Sequence, residues 1–416
     1  MGARPGAATE WRRYGTVPLA GAMGYSCASL MSYGFGPFVA AIEAEFGWSR
    51  AVSMSGITVT SLFAIVFSVF AGLAIDRFGP RRVGIVGVIL MCGAFSLLST
   101  ATGTRLNWTL LWLGIAVGMI FVQANAWTSA VASRFDAGRG FAIAVTLAGS
   151  SVCAILAPLI ASWLMADRGW RFGIAGLGLI WLALTLPVVL ALFRGRQEEE
   201  IAARRSTAER GEPAAAALPG LSVRESLRLP AFWIIAFGNL AFVFYSMSIA
   251  PNLVALLGTK GLSFEAAAAT ASLVGVVSLV ARLSAGFLLD RLPAHLVATA
   301  IFLLPVASGA LMLLDAPGPV VLGLAVAGFG ATIGAEYDVV FYLVSRHMGL
   351  RHFGALLGAM LMAGAVGGIF APVVAGGLYD TTGNYDLVLM ILMGVMAVGA
   401  TGMLLLGRPR DEWPQA

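Results

Sequence analysis

The sequence predicts an all-α integral membrane protein, with 12 transmembrane helices in two pseudo-symmetric six-helix bundles. Three observations predict it. First, 59% of the 416 residues are hydrophobic and only 11% are charged, with a mean hydropathy of +0.88. A water-soluble domain carries about 25% charged residues, so most of this chain cannot face water. Second, the apolar residues fall into runs of the ~20 residues that cross ~30 Å of hydrocarbon. Third, the second half of the chain echoes the first.

The runs lie at 17–42, 51–75, 83–101, 108–132, 140–166, 172–193, 231–256, 264–289, 295–314, 317–344, 355–379 and 387–407, here spans 1 to 12. The polar stretch 194–230 divides them six and six. The chain therefore reads as a cytoplasmic tail 1–16, an N-terminal bundle 17–193, a cytoplasmic linker 194–230, a C-terminal bundle 231–407 and a cytoplasmic tail 408–416. With the N-terminus inside, 20 of the 26 lysines and arginines sit in inside segments and five (Arg50, Arg105, Arg168, Arg171, Lys260) outside. Arg282 alone lies within a span. This inward bias predicts both termini on the cytoplasmic face of the cell's inner (plasma) membrane. It also accounts for the pI of 9.4 without a nucleic-acid partner.

Smaller features fit the same frame. The run from Val17 to Ile42 is too long for a signal-peptide core of about 7–15 residues. The linker is charged and Ala-rich, and reads either as short amphipathic helix on the membrane surface or as flexible chain. Cys27, Cys92 and Cys153 lie in apolar runs without metal or redox spacing, so they read as small buried hydrophobes. His295, His347 and His352 fall in inside loops and read as solvated interfacial groups rather than a relay. No Walker motif, nucleotide fingerprint or catalytic triad stands out. No cofactor, metal or enzymatic activity is expected, and any transport would be driven by gradients.

The internal repeat is specific. GLAIDRFGPRRV begins at Gly72 and GFLLDRLPAHLV at Gly286, 214 residues later. ASRFDAGRGFA follows span 4, and VSRHMGLRHFG follows span 10 at an offset of 212. Two similar six-span units are the mark of a carrier with a midplane site. In the first copy Gly72, Asp76, Arg77, Gly79, Arg81 and Arg82 combine tight-turn glycines with a capping acid and topogenic arginines. This stretch resembles the loop signature of the major facilitator superfamily, which implies a conformational latch between the bundles; a plain topogenic cluster is the other reading. The second copy keeps Asp290 and Arg291 but has Pro293 and His295, which predicts a weaker latch.

Three ionisable residues stand within spans: Arg282, Glu336 and Asp338. A buried arginine costs about 2.5–3.5 kcal/mol on insertion scales and so needs a wet cavity or a counter-ion. Arg282 either grips an anionic substrate through its guanidinium fork or forms a salt bridge to Glu336 or Asp338; both can hold in different states of one cycle. Glu336 and Asp338 are about 200° apart around a helix, so at most one faces the cavity. Either is a candidate for coupling a proton to the anion, or ties span 10 to Arg346 or to the loop after span 4. Tyr33, Gln123 and Tyr245 are the preferred lining residues, on depth. Tyr25, Asn125, Trp127, Ser150, Ser151, Asn239 and Asn252 are further polar groups for which packing competes with substrate contact.

Four stretches carry a narrower resemblance, to the monocarboxylate porters and oxalate–formate exchangers. They are YGFGPFVAAIEAEFGWSRA from Tyr33, RGFAIAVTLAGSSVCAILAPLIASWL from Arg139, SLVARLSAGFLLDRL from Ser278 and GAEYDVVFYLVSRHMG from Gly334. It covers nearly the whole chain and implies proton-linked or exchange transport of short carboxylates, with Arg282 as the substrate arginine. The chain departs from the mammalian pattern in two places. Ser278 stands where those members carry an aspartate four residues before the arginine, and span 1 has no lysine. The expected function is therefore secondary transport of a small organic anion, with possible partners limited to that solute, protons and lipid. Alternatives are an exporter of neutral or cationic hydrophobic compounds and a non-transporting membrane sensor.

Overall fold

The computed structural model describes residues 6–199 and 218–409. Among the described residues, eleven helices are long and apolar enough to cross a membrane: Val52–Phe78, Pro80–Thr100, Arg105–Arg134, Arg139–Ala166, Arg168–Leu192, Pro230–Thr259, Glu265–Leu289, Ala294–Met312, Pro319–His347, Phe353–Thr382 and Asp386–Leu405. These are spans 2 to 12. Span 1 is the twelfth, built in pieces: Thr16–Ser29, a π-turn Leu30–Gly34, a 3-10 turn Gly36–Phe38 and Val39–Phe46. Pro37 has no N–H to continue the helix, which accounts for the interruption. Helices satisfy their own backbone, so this is one of the two architectures hydrocarbon permits.

Their outer faces stay apolar where nothing in the chain covers them. Phe70, Leu159, Trp163, Val276 and Val373 are each more than 60% exposed, as lipid-facing residues are. Spans 5 and 6 run together except at Gly169, whose φ of 76° reverses the chain. Span 4 is broken at Gln123, which is extended (φ −62°, ψ 164°) between Arg105–Val122 and Ala124–Arg134.

The halves meet at the end that carries the arginine-rich loops. Span 2 packs along span 11, and the start of span 5 along span 8. Glycines make both approaches possible. A Cβ on Gly72 would sit 2.2 Å from the Gly354 carbonyl oxygen, and one on Gly140 would sit 2.5 Å from that of Gly286. Within the second half, span 10 lies on span 8 with similar closeness, a Cβ on Gly334 falling 2.0 Å from the Ser278 carbonyl oxygen.

Two segments outside the spans carry local structure of their own. Within the tail 1–16, Ala7–Tyr14 is a helix that packs on the first bundle. Most of the linker lies outside the described residues. Its described end holds a short helix, Val223–Leu227, started by a capping box between Ser222 and Glu225.

Candidate functional site

Span 10 places the central charges. Gly330, Gly334 and Asp338 are four apart and share one stripe. The two glycines bring the span 10 backbone against Val274 and Ser278 of span 8. The next turn along span 8 carries Arg282, so Asp338 meets it at the end of that stripe. The guanidinium Nη1 donates to both carboxylate oxygens, at 3.3 and 3.2 Å. Arg282 is 7% exposed and Asp338 fully buried, so the pair sits neither in lipid nor in bulk water. The guanidinium uses one nitrogen on Asp338, and Nη2 and Nε are not engaged by it.

Arg282 faces the other half. Its charge reaches the phenols of Tyr25 and Tyr33 on span 1. Tyr33 lies within the π-turn and is 45% exposed. Such single π-turns occur often at functional sites. Gln123 lies at the break in span 4, half-buried, with its Oε1 unpartnered. Just beyond it, both polar atoms of buried Asn125 are also unpartnered. Trp127 spends its Nε1–H on the Val122 carbonyl freed by the break, at 2.8 Å. Discontinuous helices of this kind line transporter sites.

The remaining sequence candidates are placed differently. Tyr245 is 3% exposed and packs edge-on against Phe329 at 5.5 Å, inside the second bundle. Glu336 is fully buried on the face of span 10 away from Asp338, and neither of its oxygens has a hydrogen-bond partner. Asn239 donates to the Met360 carbonyl, Asn252 to that of Ser248 and Ser150 to that of Leu147, so these serve packing and backbone.

The repeated Gly-x-x-x-Asp motifs close the arginine-rich end. Asp76 accepts from the N–H groups of Gly354 and Ala355, both at 2.9 Å, at the start of span 11. Asp290 accepts from those of Gly140 and Phe141, at 2.7 and 3.0 Å, at the start of span 5. Each half thus places a carboxylate on a helix N-terminus of the other, where free N–H groups and the helix dipole favour it. The second latch carries the same pair of bonds as the first, despite its altered sequence. Burial raises the Asp290 carboxyl above the usual range, the N–H donors pulling it back only in part.

The arginines of the motif stay at the periphery. Arg77 and Arg291 lie over the rings of Phe78 and Phe287, and the Arg81 backbone N–H bonds Glu198. Gly79 makes the turn, at φ 89°, and Arg82 is exposed.

Sequence reasoning missed part of this gate. Arg346 donates to the Asp136 carboxylate at 2.7 Å and to its carbonyl at 2.6 Å, joining the halves. Arg139 is buried and reaches Ser345 across the seam at 3.3 Å. Glu10, in the supposed tail, is 4% exposed. The repeat of Arg134 in Arg346 marked these loops, but nothing in the pattern singled out their partners.

A two-bundle helical fold with a buried charge pair fits a membrane transporter, and the comparisons agree. The chain belongs to the Major Facilitator Superfamily, whose family model matches residues 21–372. It is 24% identical to the MFS transporter asaE of Aspergillus flavus, over 93% of this chain and 85% of that protein. It is 27% identical to a gallate transporter of Pseudomonas putida (78% and 77%) and 24% identical to monocarboxylate transporter 11 of Mus musculus (80% and 73%). A crystal structure of the E. coli fucose:proton symporter superposes with a TM-score of 0.69 at 15% identity, over 94% of this chain and 98% of that one. The chain is thus a membrane transporter with relatives that carry anions.

Proposed function

We propose that this protein moves a small organic anion, by preference a monocarboxylate, across the cell's inner membrane by alternating access, with Arg282 as the anion clamp. One observation carries the reading: the buried guanidinium at the seam is held by Asp338 through a single nitrogen. Its remaining N–H edge can donate to a carboxylate through two parallel bonds. We assign Tyr25 and Tyr33, which the Arg282 charge reaches, and Gln123, at the break in span 4, to complete the site. Names of relatives support the chemistry, since gallate is itself a carboxylate and a monocarboxylate transporter is among them.

The pair also supplies the coupling. When a substrate carboxylate binds that edge, one guanidinium charge is shared by two carboxylates inside the membrane. The uncompensated negative charge is costly there, so Asp338 takes up a proton as the anion arrives, giving symport. Alternatively the arginine passes from one anion to the next, giving exchange. Glu336 is the second candidate proton carrier. The inward bias of the arginines supports cytoplasmic termini, and on that reading the closed gate is the cytoplasmic one.

The test is uptake into proteoliposomes of a panel of mono- and dicarboxylates, with and without a pH gradient. Arg282→Lys keeps the charge but loses the fork, and uptake falls at least about tenfold, the worth of one charge-assisted hydrogen bond. Full uptake by Arg282→Ala rules the reading out. Stimulation by the gradient marks symport, and stimulation by trapped internal anion marks exchange. Competition by organic cations but not by lactate-like acids turns the reading toward an exporter of hydrophobic compounds.

A further inference from the structure

The helix Ala7–Tyr14 precedes the first span and lies at the gate, apart from the Arg282 site. Its sequence, AATEWRRY, is amphipathic, with Glu10 and Trp11 as the residues it turns inward. The Glu10 carboxylate accepts three backbone N–H groups: Oε1 from Asp136 and Ala137 at 3.1 and 3.2 Å, Oε2 from Gly138 at 3.0 Å. Successive N–H groups in a turn form a concavity that favours an anion. Trp11 packs on Phe135 and Phe141 with ring centres 5.3 and 5.4 Å away. Tyr14 lies under Arg134, whose guanidinium is 5.1 Å from its ring centre.

What this helix holds is the part of the first half that docks on the second. Asp136 is the residue gripped by Arg346. Phe141, against Trp11, gives its N–H to Asp290, as Gly140 does. The N-terminus of span 5 therefore carries two carboxylates in series. Glu10, from its own half, caps the loop at 136–138; Asp290, from the other half, caps 140 and 141 and must let go when the gate opens.

We propose that the N-terminal helix is a strap of the gate, with Glu10 as a positioning residue that holds the Asp136 loop in the shape Arg346 and Asp290 require. The proposal rests on the alternating-access reading, because a strap matters only if this end opens. Without Glu10 the three N–H groups lose their acceptor, the loop relaxes, and Asp136 and the Gly140–Phe141 N–H groups no longer face their partners together. The closed arrangement weakens while the rest of the fold stays intact.

The experiment uses the full chain in proteoliposomes and a cysteine at Leu289, which is 2% exposed and packs on Gly140 inside the closed gate. A second cysteine, at Ile57, 37% exposed, serves as control, and the native cysteines are buried. Maleimide labelling at Leu289→Cys rises about tenfold in Glu10→Ala, as expected for loss of one charge-assisted hydrogen bond. Glu10→Gln, which keeps an acceptor oxygen without the charge, falls between it and the parent. Trp11→Ala, which loosens the same helix from its other contact, shifts labelling in the same direction if Glu10→Ala does not fold. Labelling at Ile57→Cys is unchanged.

Unchanged labelling at Leu289→Cys in Glu10→Ala overturns the proposal. So does an equal rise at both cysteines, which marks general loosening. If the parent protein shows no flux for any carboxylate, the transport reading fails, while the labelling still decides whether the strap holds this end shut.

Discussion

The loop after span 4 and the loop after span 10 are copies of one another, and they are held in place by different chemistry. The first, around Asp136, is supported by the Glu10 carboxylate on three N–H groups. The second, Met348 to His352, is supported among the described residues by backbone hydrogen bonds. Leu221 donates to the Met348 carbonyl and Leu350 to that of Pro219, both at 2.9 Å, with Gly220 and Gly349 paired as an antiparallel bridge. In each half the segment entering the bundle braces the loop that meets the other half. The difference teaches which part of the gate is fixed by symmetry. The carboxylate-to-N-terminus bonds recur in both copies, whereas the brace behind each loop was built separately. Met348 stands at the offset of Asp136, so Arg134 has no acid across the seam and pairs instead with Glu199 at 2.7 Å.

The largest effect should come from what the halves share. Gly72→Ala drives a methyl group to within 2.2 Å of a backbone oxygen of the other half, and Gly140→Ala to 2.5 Å. Neither neighbour is a side chain that can swing away. Overpacking of this kind costs about 1–3 kcal/mol, and here the cost falls on the closed state alone. Both variants should therefore fold, hold the arginine-rich end open and lose most uptake. Gly376→Ala, with no atom within 4 Å, should transport normally. Equal uptake by all three would mean that this closure is not part of the cycle. A smaller effect is expected at the second brace. Gly349 has φ 79° and a Cβ there would lie 2.4 Å from the Gly220 Cα. Gly349→Ala adds about 1–2 kcal/mol of left-handed strain and should open the gate to an extent that salt does not alter, since no charge is involved.

Much of this gate was legible in the sequence, and the reason is its repetition. The two Gly-x-x-x-Asp motifs announced paired latches because a glycine and an acid four residues apart share one helix face. Arg282 was legible because a lone cation in an apolar run needs an explanation. Its partner was narrower than the sequence could say. Helix periodicity separated Glu336 from Asp338, but only the register set by Gly330 and Gly334 against span 8 decided which acid faces the arginine. In the sequence, depth along the span is all that marks Tyr33, Gln123 and Tyr245. Depth does not specify rotation about the helix axis, and Tyr245 turned into its own bundle. Glu10 was illegible because its partners are backbone N–H groups 126 to 128 residues away, which leave no side-chain pattern to read.

The smallest effect concerns pH, and it tests whether the two latches differ in charge. Burial raises the Asp290 carboxyl; Arg346 opposes the shift and the Glu10 charge adds to it. When the gate opens, Asp290 meets water and returns toward the ordinary carboxylate value, about 3.9. The closed state therefore binds a proton more readily than the open one. Acidification favours closure, and that advantage is lost as the pH rises through the raised value. Spin labels at Phe78 and Leu292, each 50% exposed on opposite halves at this end, would report the distance between them. The closed fraction should grow as the pH falls. In Asp290→Asn, which cannot ionise, that part of the dependence should vanish, whereas Glu10→Gln should keep it but at a lower closed fraction throughout. A pH response unaltered in Asp290→Asn would place the titrating group elsewhere, with Asp76, the carboxylate of the first latch, the next to test.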